Sequence, residues 1–341
     1  TAGLVVEEEA PRPRPDRPEE VEETPIETEE VDDHNEVDTD SDFEESAGDA
    51  GMRDSPFVGP STNAAIGIGG GAGGAGSVFR SRALGKGPVL HSVQDALRWI
   101  ASQQRVDGSW GSVEATARAL LPYLGSGFTD RGSARDNPYA RTVRMGIRYL
   151  MNRQTKEGRF HKDDRVHALA AAVMAESYAL TRNPRYKKPA QRALNALSLA
   201  RAQYGAWPRD KADDRTTVVA VLALKAGKAA GLAIDPDSFE GARQHLRKSK
   251  RIDALWAREM LGELGAVKAG LKNLTLIVDK ADSWDDVGVF LVGGEHWVNW
   301  RRARMEHLRK VQRRDGSWGG DVSKTADACL SLLTAQRYRP R

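Results

Sequence analysis

The sequence predicts an all-α fold, an (α/α)6 toroid of helical hairpins preceded by a disordered acidic and Gly-rich leader. Three observations predict it. Charge is segregated at one end of the chain, a Gln-to-Trp turn recurs along the remainder, and amphipathic helices alternate with Ala-rich, nearly all-apolar ones.

The leader comes first. The 341-residue chain has a formal net charge of +3, yet residues 1–50 hold 20 acidic and 3 basic residues. That leaves −17 at one end and +20 on the rest. High charge, scattered Pro and no apolar period leave residues 1–66 unable to bury enough surface to offset the entropy of ordering, so they read as a disordered acidic leader. Residues 67–90 open on GIGGGAGGAG and read as a Gly-rich linker. No strand pattern precedes its G-x-G spacing and no helix pattern opens on it, which weighs against a nucleotide cradle. Asp38, Asp40 and Asp42 have calcium-loop spacing, but Phe43 replaces the Gly needed at the sixth position, so a solvated acidic run is expected. The chain begins at Thr1 without Met. One reading is an extracytoplasmic chain behind a removed anchor; the other is a soluble chain. A single cysteine, Cys329, excludes an intrachain disulfide, and no apolar run approaches the ~18 residues of a membrane span.

The repeat occupies residues 91–341. LRWIASQQRVDGSWG (97–111) returns as MEHLRKVQRRDGSWG (305–319), with degenerate copies at 147–160 and 197–207. Trp110, Phe160 and Trp207 recur at spacings of 50 and 47, and Trp318 follows 111 further on, room for two more hairpins. In each copy an amphipathic helix ends at Gln104, Gln154, Gln203 or Gln312. A glycine suited to the left-handed conformation follows, then an aromatic, then a small-residue-rich helix. About twelve helices result, enough for six hairpins.

The motif Q-x-x-D-G-S-W is similar to the QW repeat of squalene–hopene cyclases and their relatives. Residues 91–341 therefore resemble the squalene-cyclase/prenyltransferase-like repeats of the terpenoid cyclase superfamily. The resemblance implies that Gln104 with Trp110, and Gln312 with Trp318, stitch neighbouring helix ends together, with Gln154/Phe160 and Gln203/Trp207 as weaker copies. The stretch from Gly293 to Gly320 also resembles bacterial squalene-cyclase-like repeat proteins with acidic, Gly-rich leaders.

The resemblance also implies two chemistries, and the residues answer each incompletely. Cyclases of this superfamily protonate an alkene with a D-x-D-D carboxylic acid. The nearest segment here is Asp210, Asp213 and Asp214, spaced D-x-x-D-D, with Lys211 where it would lower the carboxyl pKa. Asp213 and Asp214 are thus weak catalytic candidates. Protein prenyltransferases hold zinc with Asp, Cys and His; Asp327 and Cys329 are present, but no histidine follows His307, so no metal or other cofactor is expected.

Other carboxylates gather at expected helix starts. Asp163–Asp164, Asp213–Asp214 and Asp285–Asp286 each open a small-residue-rich helix, where capping is the ordinary role. If those helices run parallel, the same residues converge on one rim and could form a cation- or ligand-binding mouth, with His167 one turn inside. Residues 297–314 form a basic helix carrying Trp297, Trp300, Arg301, Arg302, Arg304, Arg309, Arg313 and Arg314. It reads either as an outer helix with a solvated Arg face, or as a dock for an anionic surface or the chain's own acidic leader.

The functional expectation is a binding module with no visible catalytic motif, whose partner is a small apolar ligand or a protein. The alternatives are an enzyme acting on an isoprenoid substrate and an electrostatic docking module for an anionic surface. Limited proteolysis should cut residues 1–85 rapidly and leave a resistant fragment starting near residue 90. Cleavage inside 91–341 at a comparable rate would remove the predicted boundary.

Overall fold

The computed structural model describes residues 88–132, 137–202, 205–271 and 276–336. Expectations placed on residues 1–87, and on Gln203, lie outside the described residues. Within them the chain is all helical, with twelve α-helices and no strand.

The helices are α1 (Pro88–Ser102), α2 (Val113–Gly125), α3 (Ala140–Arg153), α4 (Asp164–Thr181), α5 (Pro184–Leu199) and α6 (Asp214–Ala229). They continue with α7 (Asp237–Leu246), α8 (Ile252–Met260), α9 (Ala266–Leu271), α10 (Ser283–Val292), α11 (Gly294–Val311) and α12 (Val322–Gln336). Helix α1 starts three residues before the expected boundary at 91.

Sequence pattern sorts them into two kinds. Helix α3 buries Val143, Gly146, Ile147 and Leu150, a stripe at helical spacing, and turns its arginines outward. Helix α4 is buried on nearly every side from Val166 to Ser177, a run in which alanine permits close approach. The contacts follow this division. The even-numbered helices pack in succession, α2 on α4, α4 on α6, α6 on α8, α8 on α10 and α10 on α12, and α12 packs on α2 again. Odd-numbered helices lie against them: α5 touches α4 and α6, α7 touches α6 and α8, and α11 touches α10, α12 and α1. Two hairpins, α7/α8 and α9/α10, fill the stretch where no copy of the repeat is visible in sequence.

The recurring turn has one geometry. Arg105 N–H donates to the Ser109 carbonyl at 2.8 Å, and Thr155 to Arg159, Ala202 to Ala206 and Arg313 to Ser317 repeat the bond. The Gln104 amide donates to its own turn at the Gly108 carbonyl and to the Thr142 carbonyl of α3, both at 2.9 Å. Gln154 does the same to Gly158 and to Pro189 of α5. Gln312 donates to Gly316 and, at 2.9 Å, to the Ser92 carbonyl of α1, 220 residues away. The last hairpin is thereby bonded to the first.

A glycine is required where the turn meets the next helix. Gly108 has φ +87°, and a Cβ there would lie 2.4 Å from the Met145 carbonyl oxygen. Gly316 repeats this against Asp95 at 2.6 Å with φ +92°.

The fourth copy departs from the sequence reading. The bond from Ala202 to Ala206 aligns Ala202 with Arg105, so Arg201, not Gln203, stands at the Gln104 position. Its guanidinium crosses to α7 by donating to Ser238 Oγ at 2.7 Å and pairing with Asp235 at 2.8 Å. The longer side chain keeps the link between hairpins by other partners.

The aromatic closes each turn on the helix before it. The indole N–H groups of Trp110, Trp207 and Trp318 donate to Ile100, Leu197 and Leu308, each ten residues upstream. The main-chain N–H of each also donates to a hydroxyl in the following helix, Thr116, Thr217 or Thr325. Phe160 has no indole to donate, but its N–H donates to His167 Nδ1 at 3.2 Å.

Removal of the buried Trp318 ring by Trp318→Ala should cost ~3–5 kcal/mol. Trp318→Phe keeps most of the ring and loses one hydrogen bond, about 1 kcal/mol. Chemical denaturation measures both; equal losses would show that ring volume is not what the turn needs.

Candidate functional site

The N-terminal parts of α2, α4, α10 and α12 come together around a small recess lined by Arg118, Leu121, Leu169, Ser283, Trp284, Ser323, Ala326, Asp327 and Leu330. Its volume is about 250 Å³ with the open solvent at its mouth included. Trp284 stacks on the buried Trp256 of α8, with ring centroids 5.8 Å apart and planes at 18°.

Most carboxylates around these helix starts are engaged by the fold. Asp163 and Asp213 are N-caps, accepting from the Val166 and Thr216 N–H groups. Asp164 pairs with Arg159, and Asp214 lies 3.1 Å from His245 Nε2. Helix α10 does not open on Asp285–Asp286. Asp282 is its N-cap, Asp285 completes a capping box by accepting from the Asp282 N–H at 3.0 Å, and Arg215 reaches over from α6 to pair with Asp282.

Asp286 is fully buried. It accepts from Trp300 Nε1 at 2.7 Å and from Arg304 Nε at 3.2 Å, and the Arg304 guanidinium donates further to the Val278 and Ala281 carbonyls. Arg304 therefore sits inside the protein and is no part of a solvated arginine face. Trp297 is likewise buried, whereas Arg302, Arg309, Arg313 and Arg314 are exposed and Arg301 is half-buried.

His167 does not face a mouth. It is fully buried, with Nδ1 accepting from the Phe160 N–H, which assigns its proton to Nε2 for donation to the Ala193 carbonyl at 3.1 Å. Burial, with help from Arg159, pushes its pKa down to about 4, so the ring is neutral at pH 7. It fills the place that threonine holds in the other repeats.

The carboxylate that does reach the recess is Asp327. It accepts from both Ser283 N–H and Ser283 Oγ, tying α12 to the start of α10. Burial, and then Asp282 and Asp286, push its carboxyl up to about 6. Asp285 is raised to about 6 by burial and by Asp282. Sequence reading met Asp327 only as a partner for Cys329 in a zinc set. The fully buried Cys329 thiol is pushed up by desolvation, and no group of three or more His, Cys, Asp or Glu among the described residues could hold a metal. Nothing in the sequence distinguished Asp327 from a solvated helix acid, because its partners come from α10.

Comparison of the sequence with protein-family models finds no match, and comparison with curated proteins finds none.

The raised carboxyls make stability depend on pH. Asp285 and Asp327 titrate near 6 in the folded chain and near ~4 when unfolded, so between those values the folded state binds more protons. Stability should therefore fall as pH rises from about 4 to about 6. Asp327→Asn should flatten part of that fall and raise stability at pH 7.5 by on the order of 1 kcal/mol, discounted for partial exposure, or a few degrees in Tm. A lower Tm at pH 7.5 would show that the Ser283 bonds outweigh the desolvation.

Proposed function

We propose that residues 91–341 form a squalene-cyclase-like α/α toroid that serves as a binding module for a small apolar ligand or a protein, without cyclase or prenyltransferase chemistry. The observation that carries this reading is the closure of contacts from α12 back to α2, together with the bond from Gln312 to Ser92. The small recess favours a protein partner over an enclosed small molecule, whether ligand or substrate. Pockets for small molecules usually enclose ~300–1,000 Å³, and this one falls short even with its open mouth counted. The expected acids support the same reading, since Asp213 caps α6 and Asp214 sits on His245.

One observation favours the enzymatic alternative. Asp327 lies in a recess walled by Trp284 with its pKa raised to about 6, and a shift of a carboxyl toward its protonated form beside an aromatic is the direction alkene protonation requires. Incubation with squalene, farnesyl diphosphate and geranylgeranyl diphosphate decides between the two. No product is expected; turnover lost in Asp327→Asn with the fold intact would replace the binding reading.

A further inference from the structure

Charge on the odd-numbered helices is unevenly placed. Helix α3 carries Arg141, Arg144, Arg148 and Arg153 and no acid, and α5 carries Arg185, Lys187, Lys188 and Arg192 and no acid. The turn from α3 to α4 adds Lys156, Arg159 and Lys162 against Glu157 and Asp163, with Arg159 paired to Asp164. Elsewhere, apart from the lone Lys268 of the six-residue α9, cations have acidic neighbours on the same helix: Arg98 pairs with Asp95 on α1, and Arg243 with Glu240 on α7. Helix α11 mixes its cations with Glu295 and Glu306.

Helices α3 and α5 adjoin. Gln154, at the end of α3, donates to Pro189 of α5, and Arg192 Nη2 donates back to the Thr155 carbonyl at 2.6 Å. Both bury their apolar stripes, which leaves Arg141, Arg144, Arg148, Arg153, Lys187 and Lys188 exposed. Along α3 these cations span most of a helix ~20 Å long.

We propose that this α3–α5 face docks an acidic polypeptide segment. The inference rests on the binding-module reading and names its partner class. Charge complementarity supports it: residues 1–50 of this same chain hold 20 acidic and 3 basic residues, so acidic polypeptide accompanies every copy of the face. Guanidinium forks match carboxylates in pairs. Among the described residues of α3 and the first three turns of α5 there is no large exposed apolar side chain to enter a membrane; the exposed Val106 and Leu199 lie outside them, in the α1–α2 turn and at the end of α5.

The test uses the full chain and a labelled polyglutamate of about thirty residues, titrated at about 0.05 M and 0.5 M salt. Binding should weaken ~10-fold or more in a variant carrying Arg141→Glu, Arg148→Glu, Lys187→Glu and Lys188→Glu, and at the higher salt. Glutamine at the same four positions should give a smaller loss in the same direction with unchanged Tm. A variant with Arg302→Glu, Arg309→Glu and Lys310→Glu on α11 should change affinity less than ~3-fold. Carbodiimide coupling should join Lys187 or Lys188 of the unaltered protein to an acidic segment, added or native to the chain. An equal loss in the α11 variant, or no coupling at Lys187 and Lys188, overturns the face. Tighter binding of duplex DNA or phosphatidylserine vesicles than of polyglutamate overturns the partner class. Turnover of a polyprenyl substrate bears on the parent reading and leaves these outcomes distinguishable.

Discussion

The described fold depends on one side-chain amide with two protons to place. A glutamine at the end of an odd-numbered helix gives one proton to its own turn and the other to a carbonyl in the next odd-numbered helix. Each bond is worth only ~0.5–1.5 kcal/mol net. Their value lies in geometry, because the same amide fixes the shape of a turn and the position of its neighbour. The glycine follows from that, since the neighbour's backbone then lies where a Cβ would be. The aromatic follows too, because a turn held in this shape puts the indole under the helix it has just left.

A fold built this way uses up its polar groups at the starts of the even-numbered helices. Those N-termini need acceptors, and Ser112, Asp163, Asp213, Asp282 and Asp321 supply them. Asp282 also pairs with Arg215, and the flanking Asp164 and Asp286 pair with Arg159 and Arg304. Carboxylates gathered at one end of a helix array suggest a metal or substrate mouth, yet here most are answered by the chain itself. Asp327 stands apart because the serine it accepts from neutralises none of its charge.

The sequence made the all-helical class, the hairpin grammar and three of the four turns legible, because Gln104, Gln154 and Gln312 keep the same spacing to their glycines. The fourth was misread by two residues. Gln203 offered a familiar letter, while the position belonged to Arg201, whose reach replaces an amide bond with an ion pair and a hydroxyl contact. His167 was misplaced for a related reason. Its role is that of Thr116 or Thr325, an acceptor for a main-chain N–H, and nothing in the residue types equates an imidazole with a hydroxyl. The α7/α8 and α9/α10 hairpins left no motif, since they are held by packing around Trp256 and Trp284. In sequence Arg304 is one of several arginines on a basic helix, and its buried partner Asp286 lies eighteen residues earlier on α10.

The bond from Gln312 to Ser92 has a consequence for how such a chain can change over time. Open helical repeat arrays lengthen or shorten by whole units, because each unit meets only its neighbours and the end units carry polar caps. Here the final described hairpin finds its neighbour in the first. Duplication of one hairpin would leave the amide of Gln312 facing a carbonyl that has moved away, and loss of one would leave a gap the others cannot span. In the proposed toroid the number of hairpins is therefore fixed by angle rather than by length, and divergence is confined to the residues each hairpin displays.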